Sequence, residues 1–264
     1  MLEIVVEKNV LELGEPIRGI CRADGVKAKL IVLLATNLED LERSAHIWKV
    51  VSSYTESFDL PRGEFVLNYP SDLPPSVYSQ HLKVRWSLIF GIPRLGGKIF
   101  WPRRELRLKV FPREIILDEG DSEIRLESRI LRPGDVIKGS FVVPGGAAEL
   151  SLIGLKVEEW LRDKGRIFRN EYTAAEAEIY DANGERGRFR FVVEKDATDV
   201  RDVAYFYPYT FRGRVGGVEV GIEARVEIEN EKGIFRKPVA LLPKPPKLVR
   251  RKEGSKRSGP LLPI

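Results

Sequence analysis

Hydrophobic and polar residues alternate along several short segments of the chain. In residues 82–88, Leu, Val, Trp and Leu alternate with Lys, Arg and Ser, and residues 104–109, 188–191 and 224–229 show the same pattern. A repeat of two residues is typical of a strand with one buried face and one solvent-exposed face. The pattern therefore predicts β-strands at all four segments.

Turn-forming residues separate these segments at near-regular intervals. Glycine-containing turns stand at residues 96–97, 163–165, 183–184 and 216–217. The prolines that interrupt strand patterns, and so mark loops or edges, are Pro61, Pro70, Pro74 and Pro75. Short strands with frequent turns are typical of antiparallel β-sandwiches, so the sequence predicts an all-β fold.

The chain also contains an internal repeat. Residues 3–20 match residues 123–140 at a constant offset of 120, and the same offset relates Ala28 and Leu30 to Ala148 and Leu150. The identical pairs place Glu3, Ile4, Glu7, Leu11, Gly14, Ile17 and Gly19 on Glu123, Ile124, Glu127, Leu131, Gly134, Ile137 and Gly139. A repeat of this length is that of one domain, which indicates a tandem duplication.

We extend this register to the turns at 96–97 and 216–217, and to the closing strand, where Leu106 and Leu108 would match Val226 and Ile228. This interpretation predicts two β-sandwich domains, at residues 1–112 and 118–232, joined by a short linker at 113–117. Residues 233–264 are predicted to form a basic, proline-rich C-terminal tail.

Composition and charge place this predicted architecture among ordinary globular proteins. The 264 residues are 43% hydrophobic and 31% charged, with a net charge of +5. From residue 243 onward seven basic residues face one acid, so the tail carries +6 and the rest of the chain −1. The basic residues are Lys244, Lys247, Arg250, Arg251, Lys252, Lys256 and Arg257. They are our candidates for binding a partner or an anion.

Several features limit the compartment and class of the protein. Cys21 is the only cysteine, which excludes an internal disulfide framework. The first ten residues lack the pattern of a signal peptide, and the longest apolar run, residues 30–35, is far below the ~20 residues of a membrane span. We expect a soluble, cytoplasmic protein that can associate peripherally with a membrane. The many charged residues are also typical of thermophilic proteins.

Residues typical of catalysis or metal binding are scarce. His46 and His81 are the only histidines and lie on different segments, and Cys21 sits in an apparent strand. Residues 118–123 contain a cluster of acidic residues that could bind a calcium ion, but they lack the EF-hand pattern. A solvated linker is therefore the favoured interpretation. The glycine-containing segment 91–99 superficially resembles a phosphate-binding loop, but glycine occupies the position of the motif's lysine and no serine or threonine follows. We predict no catalytic residue, cofactor or metal site.

Three segments resemble the arrestin-like superfamily, which includes arrestins, α-arrestins, the retromer's arrestin-like subunit and sporulation-control proteins. Residues 11–19 (Leu-Glu-Leu-Gly-Glu-Pro-Ile-Arg-Gly) are similar to the entry of arrestin-type domains, and the second copy repeats them. Residues 58–61 and 70–78 are similar to a proline-containing loop of the family, and residues 84–88 to the strand that follows. In layout the resemblance covers residues 1–230.

The resemblance implies a non-enzymatic adaptor that holds partner proteins on two curved sandwiches, in processes such as trafficking or signalling. Arrestins that sense phosphate also have a buried charged core near the domain interface and a C-terminal tail that pairs with the first domain. Matching positions does not locate that core here, and this tail is basic, so phosphate sensing is not carried over.

Three classes of function stay open. The first is a scaffold that binds proteins on its surfaces or sheet edges. The second is a protein that binds nucleic acid or an anionic membrane through the tail, with an affinity that falls steeply with salt. The third is an enzyme acting between the domains, for which the sequence offers no specific residues. A homodimer formed through sheet edges is compatible with the first class.

Overall fold

The computed structural model describes residues 3–38, 48–94, 99–100, 103–112, 117–145, 150–193 and 209–243. These residues form an all-β structure of 21 strands without an α-helix, which confirms the predicted fold class. No sheet within the described ranges combines strands from before Phe111 with strands from after Ile124. The strands therefore belong to two sandwiches in tandem.

The first sandwich is built from eleven strands: β1 (Ile4–Val6), β2 (Val10–Glu12), β3 (Ile17–Cys21), β4 (Lys27–Thr36), β5 (Lys49–Asp59), β6 (Gly63–Leu67), β7 (Val77–Tyr78), β8 (Leu82–Gly91), β9 (Pro93–Arg94), β10 (Ile99–Phe100) and β11 (Arg104–Phe111). Its small sheet has the order β1-β3-β6. Its large sheet has the order β2-β11-β8-β4-β5, with β7 beside β8, and β9 and β10 form a separate pair.

The second sandwich is built from ten strands: β12 (Ile124–Leu126), β13 (Ile130–Leu131), β14 (Val136–Val142), β15 (Leu150–Asp163), β16 (Arg166–Glu176), β17 (Glu178–Asn183), β18 (Arg186–Val192), β19 (Phe211–Val215), β20 (Val218–Asn230) and β21 (Gly233–Leu241). Its small sheet has the order β12-β14-β18-β17. Its large sheet has the order β13-β21-β20-β15-β16, with β19 beside β20. Neighbours are antiparallel except β2 with β11 and β13 with β21.

The alternating segments form strands as predicted. In β8 the side chains of Leu82, Val84 and Trp86 are buried, whereas Arg85 is exposed. The Trp86 indole N–H donates to the carbonyl of Pro74 at 3.0 Å, which ties the proline loop to the strand. In β18 the two phenylalanines are buried between exposed arginines. The apolar sets of facing sheets thus make the core of each sandwich.

The internal repeat is visible in the small sheets. In β1–β3, Ile4 faces Cys21 and Val6 faces Gly19, and in β12–β14, Ile124 faces Phe141 and Leu126 faces Gly139, each pair shifted by the predicted offset. A phenylalanine ring lies directly over each central glycine: Phe65 over Gly19 and Phe189 over Gly139. Both glycines are required because a Cβ atom would collide with the ring.

The predicted offset does not hold in the large sheets. Leu106 and Leu108 lie in β11, whose position in the sheet corresponds to that of β21, whereas Val226 and Ile228 lie in β20, which corresponds to β8. The turn at Gly216 joins β19 to β20, and Gly96 and Gly97 fall outside the described residues. Every strand with one solvent-exposed face has the same two-residue hydrophobic period. Alternation alone therefore cannot determine which strands of the two large sheets correspond.

The predicted tail begins later than expected. Residues 233–241 are not tail but strand β21, paired with β20 along its length. Pro238 obscured this strand in the sequence. The Arg236 N–H, two residues earlier, points away from β20 to the Asp121 carboxylate at 2.6 Å, and Pro238 lies on the same side. The proline therefore removes no bond to β20, the condition under which strands tolerate it.

Replacing Gly139 with alanine tests this packing. The new Cβ would collide with the Phe189 ring and lie 2.9 Å from the Arg125 carbonyl oxygen. We expect Gly139→Ala to lower the free energy of unfolding by about 1–3 kcal/mol, the usual effect of overpacking a core. Urea denaturation measures this, with Gly217→Ala as the control because a Cβ there meets no atom within 4 Å. Equal effects of the two substitutions would contradict the packing role.

Candidate functional site

The two sandwiches meet along a junction formed by backbone and side-chain contacts. The Ser52 hydroxyl on β5 donates to the Val215 carbonyl on β19 at 2.7 Å, and the Arg214 N–H donates to the Asp72 carbonyl at 2.7 Å. Gly213 lies so close to Pro74 that a Cβ would come within 2.7 Å of its nitrogen. Close backbone contact of this kind fixes β19 against the first sandwich.

A buried carboxylate lies at the centre of this junction. Glu159 on β15 is completely inaccessible to solvent. Its Oε2 accepts hydrogen bonds from the Ser79 hydroxyl at 2.9 Å and the His81 N–H at 2.8 Å. Its Oε1 accepts from the Gln80 N–H at 3.2 Å and the Tyr172 hydroxyl at 3.0 Å. Three of the four donors belong to the first sandwich, so this side chain joins the two units.

The segment that donates to Glu159 is itself held from behind. The His81 ring lies with Nδ1 2.8 Å from Oδ1 of Asn37, and the Thr36 hydroxyl donates to the His81 carbonyl at 2.8 Å. All three residues are buried. Residues 79–81 therefore present their donors in a fixed arrangement set by the end of β4.

The environment of Glu159 shifts its titration. Burial raises the pKa of its carboxyl group, and the hydrogen bonds from Ser79, His81, Tyr172 and Gln80 offset this only in part, so the pKa lies above its ordinary value. With its oxygens fully engaged by donors, the carboxylate is suited to holding the sandwiches together.

Sequence reasoning did not find Glu159. It stands beside Glu158 in a charged stretch, and two adjacent acids resemble a solvated surface. One signal was present: Glu159 occupies the place in the alternation where Val157 and Leu161 are buried on β15. A glutamate on the apolar face of a strand requires partners, and three of its four donors are 78 to 80 residues away in the sequence.

A cleft opens beside the junction. It has a volume of about 600 Å³ and is lined by residues of the second sandwich together with Asp72 from the first. Trp160 lies in it, and its indole N–H donates to Glu223 at 3.0 Å. The charged residues of the lining are Asp72, Glu158, Arg162, Arg169, Arg212, Arg214, Glu219 and Glu223.

Every arginine that lines the cleft contacts a glutamate, and Arg162 and Arg214 share Glu219. Arg212 contacts Glu223 at 3.0 Å, Arg214 contacts Glu219 at 2.7 Å and Arg169 contacts Glu158 at 3.7 Å. The hydrogen bond from Arg214 lowers the pKa of the Glu219 carboxyl group, and the charge of Arg162 adds to the effect. The surface of the cleft therefore carries charges of both signs, with exposed guanidinium groups around an aromatic ring.

The predicted tail site lies outside the described residues: Lys244, Lys247, Arg250, Arg251, Lys252, Lys256 and Arg257. The structure describes the point from which this segment leaves. The Leu242 N–H donates to the Leu131 carbonyl at 2.9 Å, and Arg132 donates to the Pro243 carbonyl. The tail thus departs from the second sandwich beside β13.

The remaining candidates have structural surroundings. Cys21 is fully buried, and its thiol donates to the Ala23 carbonyl at 3.3 Å. Asp121 of the acidic segment accepts the Arg236 N–H. His46 lies outside the described residues. Within the described ranges no group of three or more His, Cys, Asp or Glu side chains is placed to hold a metal ion.

The fold of the chain is arrestin-like. A crystal structure of squid arrestin superposes with a TM-score of 0.53 at 10% sequence identity, covering 92% of this chain and 94% of that one. At this identity the likeness establishes the fold alone. No protein-family model matches the sequence, and no curated protein matches it. No helix in the described ranges is long and apolar enough to cross a membrane.

Removing the Glu159 side chain tests its role at the junction. Glu159→Ala leaves the buried donors of residues 79–81 without an acceptor, so we expect the free energy of unfolding to fall by about 3–5 kcal/mol. Glu158→Ala is the matched control, because that neighbour is partly exposed and its arginine contacts are 3.6 and 3.7 Å long. We expect a loss below about 1 kcal/mol for the control. Similar losses in chemical denaturation would exclude the proposed junction role.

The raised pKa of Glu159 also predicts a pH dependence. Between the ordinary glutamate pKa of 4.5 and the higher folded value, the folded chain binds more protons at this site than the unfolded chain. The contribution of Glu159 to stability is therefore fully present below pH 4.5 and decreases as the pH rises through the folded pKa. We expect the stability difference between the native chain and Glu159→Gln to change in this direction across urea denaturations at increasing pH. A difference independent of pH would contradict it.

Proposed function

We propose that the chain is a non-enzymatic adaptor that binds protein partners at the cleft beside the junction of its sandwiches. The observation that carries the proposal is the exposed set of arginines and glutamates around Trp160, on a fold shared with arrestin. Tryptophan and arginine are the residues most enriched at the centres of protein interfaces.

The charges of the cleft favour a polypeptide over a small anion. Each described arginine of the lining faces a glutamate, so a purely anionic ligand would meet repulsion from the same surface. A protein segment that carries both acidic and basic side chains could exchange partners with these pairs. Because Asp72 comes from the first sandwich and Trp160 from the second, binding would depend on the junction.

The lining also supports the non-enzymatic part of the proposal. Among its described residues there is no histidine, cysteine or serine to act as a base or nucleophile. The glutamates are engaged by arginines or by Trp160, an arrangement suited to recognition.

Charge reversal in the cleft tests this function. Arg169 and Arg212 are 63% and 72% exposed, so Arg169→Glu with Arg212→Glu should leave the fold intact. We expect proteins that co-purify with the native chain from its source cells to be lost at least tenfold with this variant, as a desolvated interface loses about 1–2 kcal/mol per anchor. Quantitative mass spectrometry after affinity purification measures the loss.

The matched control is Arg103→Glu, an exposed arginine that pairs with Glu105 in the first sandwich and does not line the cleft. Partners retained equally by the native chain, the control and the cleft variant would place binding elsewhere. Equal melting temperatures for the three proteins ensure that a loss reports on the surface.

A second candidate function rests on the tail. Its seven basic residues would bind nucleic acid or an anionic membrane, and they follow directly on an anchored Pro243. A chain ending at Leu242 separates the two functions. Protein partners retained by this shorter chain support the adaptor, whereas nucleic acid or lipid lost with the tail supports the second candidate.

A further inference from the structure

The small sheets of the two sandwiches differ by one strand. In the second sandwich β18 lies between β14 and β17, whereas among the described residues β6 pairs with β3 alone. The strands β6 and β18 correspond, because Phe65 covers Gly19 as Phe189 covers Gly139. Within the part of the chain that the structure describes, the first sandwich therefore has an open edge where the second has its own fourth strand.

The sequence explains the difference. The Leu60 N–H donates to the Val26 carbonyl, and the Ala177 N–H donates to the Ile153 carbonyl. The polypeptide therefore leaves the large sheet at equivalent points in the two copies. Eleven residues separate Ala177 from Phe189, and four separate Leu60 from Phe65. The first copy lacks the length for a fourth strand and turns at once into β6, at Gly63 with φ of 112°.

The backbone groups that face the open edge follow from the second copy. There Asn183 faces Arg186 across a two-residue turn, and the Val143 N–H donates to the Glu185 carbonyl at 2.9 Å on the other side. Hydrogen-bonded residues alternate along a strand, so Arg186, Arg188 and Arg190 direct their peptide groups to β17. Their counterparts in the first copy include Glu64 and Val66. Both side chains are exposed.

We propose that the edge of β6 is a strand-addition site for an extended segment of a partner protein, with apolar residues facing Phe65 and Val66 and a basic residue facing Glu64. This inference deepens the proposed adaptor function and rests on it, because it names a second surface and the chemistry of its partner. Strand addition to a sheet edge is a common mode of peptide recognition.

The strand β17 supplies the template for the partner. Its acidic residues pair with the arginines of β18: Glu178 contacts Arg190 at 2.8 Å and Asp181 contacts Arg188 at 3.8 Å. Ile179 faces Phe189. In the first copy Glu64 stands in the place of Arg188 and Val66 in the place of Arg190. The incoming strand must therefore be basic and apolar where β17 is acidic.

Two synthetic peptides test the assignment on the full chain. Both span residues 177–184 with Glu178→Val, and one also carries Asp181→Lys. We expect the lysine peptide to bind about fivefold more tightly than the peptide with Asp181, because it places opposite charges across from Glu64. Glu64→Lys should reverse the preference. Glu3→Lys, beside the opposite edge of the same sheet, is the matched control and should not change it.

A backbone variant locates the site independently of charge. Val66→Pro removes the N–H at the open edge without removing a bond to β3, and we expect it to weaken binding of the lysine peptide at least tenfold at an unchanged melting temperature. Hydrogen exchange should show new protection at residues 63–67 when that peptide binds. Protection at β1 or β17 instead, or a preference that Glu64→Lys does not reverse, would overturn the proposal.

Two other occupants give distinct results. A dimer of the native chain that Val66→Pro dissociates would assign the edge to a second copy. Much tighter peptide binding by a chain ending at Leu242 would assign it to the chain's own tail. Either result overturns the assignment to a partner protein. If cleft variants lose partners while the edge binds neither peptide, the adaptor function stands and this inference fails.

Discussion

A buried charge that must be satisfied is the constraint on which the arrangement of the two sandwiches depends. An ionised carboxylate without partners is among the most unfavourable groups a protein interior can contain. Glu159 is buried because it lies on the apolar face of β15, and its donors come from a segment that the first sandwich holds rigidly. The energetic penalty of separating these groups makes the relative position of the two units specific.

The same strand connects the junction to the cleft. Glu159 and Trp160 are consecutive in β15, so their side chains leave opposite faces of the sheet. One contacts the first sandwich and the other lines the cleft. A shift at the junction would therefore also move the aromatic ring relative to Asp72, which reaches the cleft from the other unit.

Local patterns in the sequence were sufficient for the fold class and much less so for its details. Alternation located β8, β18 and β20, because burial of one face imposes a period of two on any such strand. The repeat matched Gly19 with Gly139 correctly. Packing of a phenylalanine ring against the backbone permits only glycine at these positions, so the sequence retains an identifiable residue there. Two features could not be read from local patterns: which strands of the two large sheets correspond, and the strand that contains Pro238. Both depend on the order of strands in the sheet, which is set by pairing between residues far apart in the sequence.

The candidate site was harder to predict for a related reason. Counting charges drew attention to the tail, where basic residues are contiguous. Arg162, Arg212 and Arg214 are scattered over two strands, and nearby glutamates cancel their charge. A balanced cluster leaves no trace in net charge, and only the pairing of β20 with both β19 and β15 brings it together.

The shortness of β6 has a consequence for how long anything can stay bound there. Glu64 and Val66 offer two N–H and two C=O groups at the edge. At about 0.5–1.5 kcal/mol per hydrogen bond, the total free energy gained from these bonds is comparable to or less than the free-energy cost of the translational and rotational entropy lost on association. Occupancy of this edge alone would be brief. A durable complex would need the same partner to touch the chain at a second place, so that two weak contacts multiply through avidity.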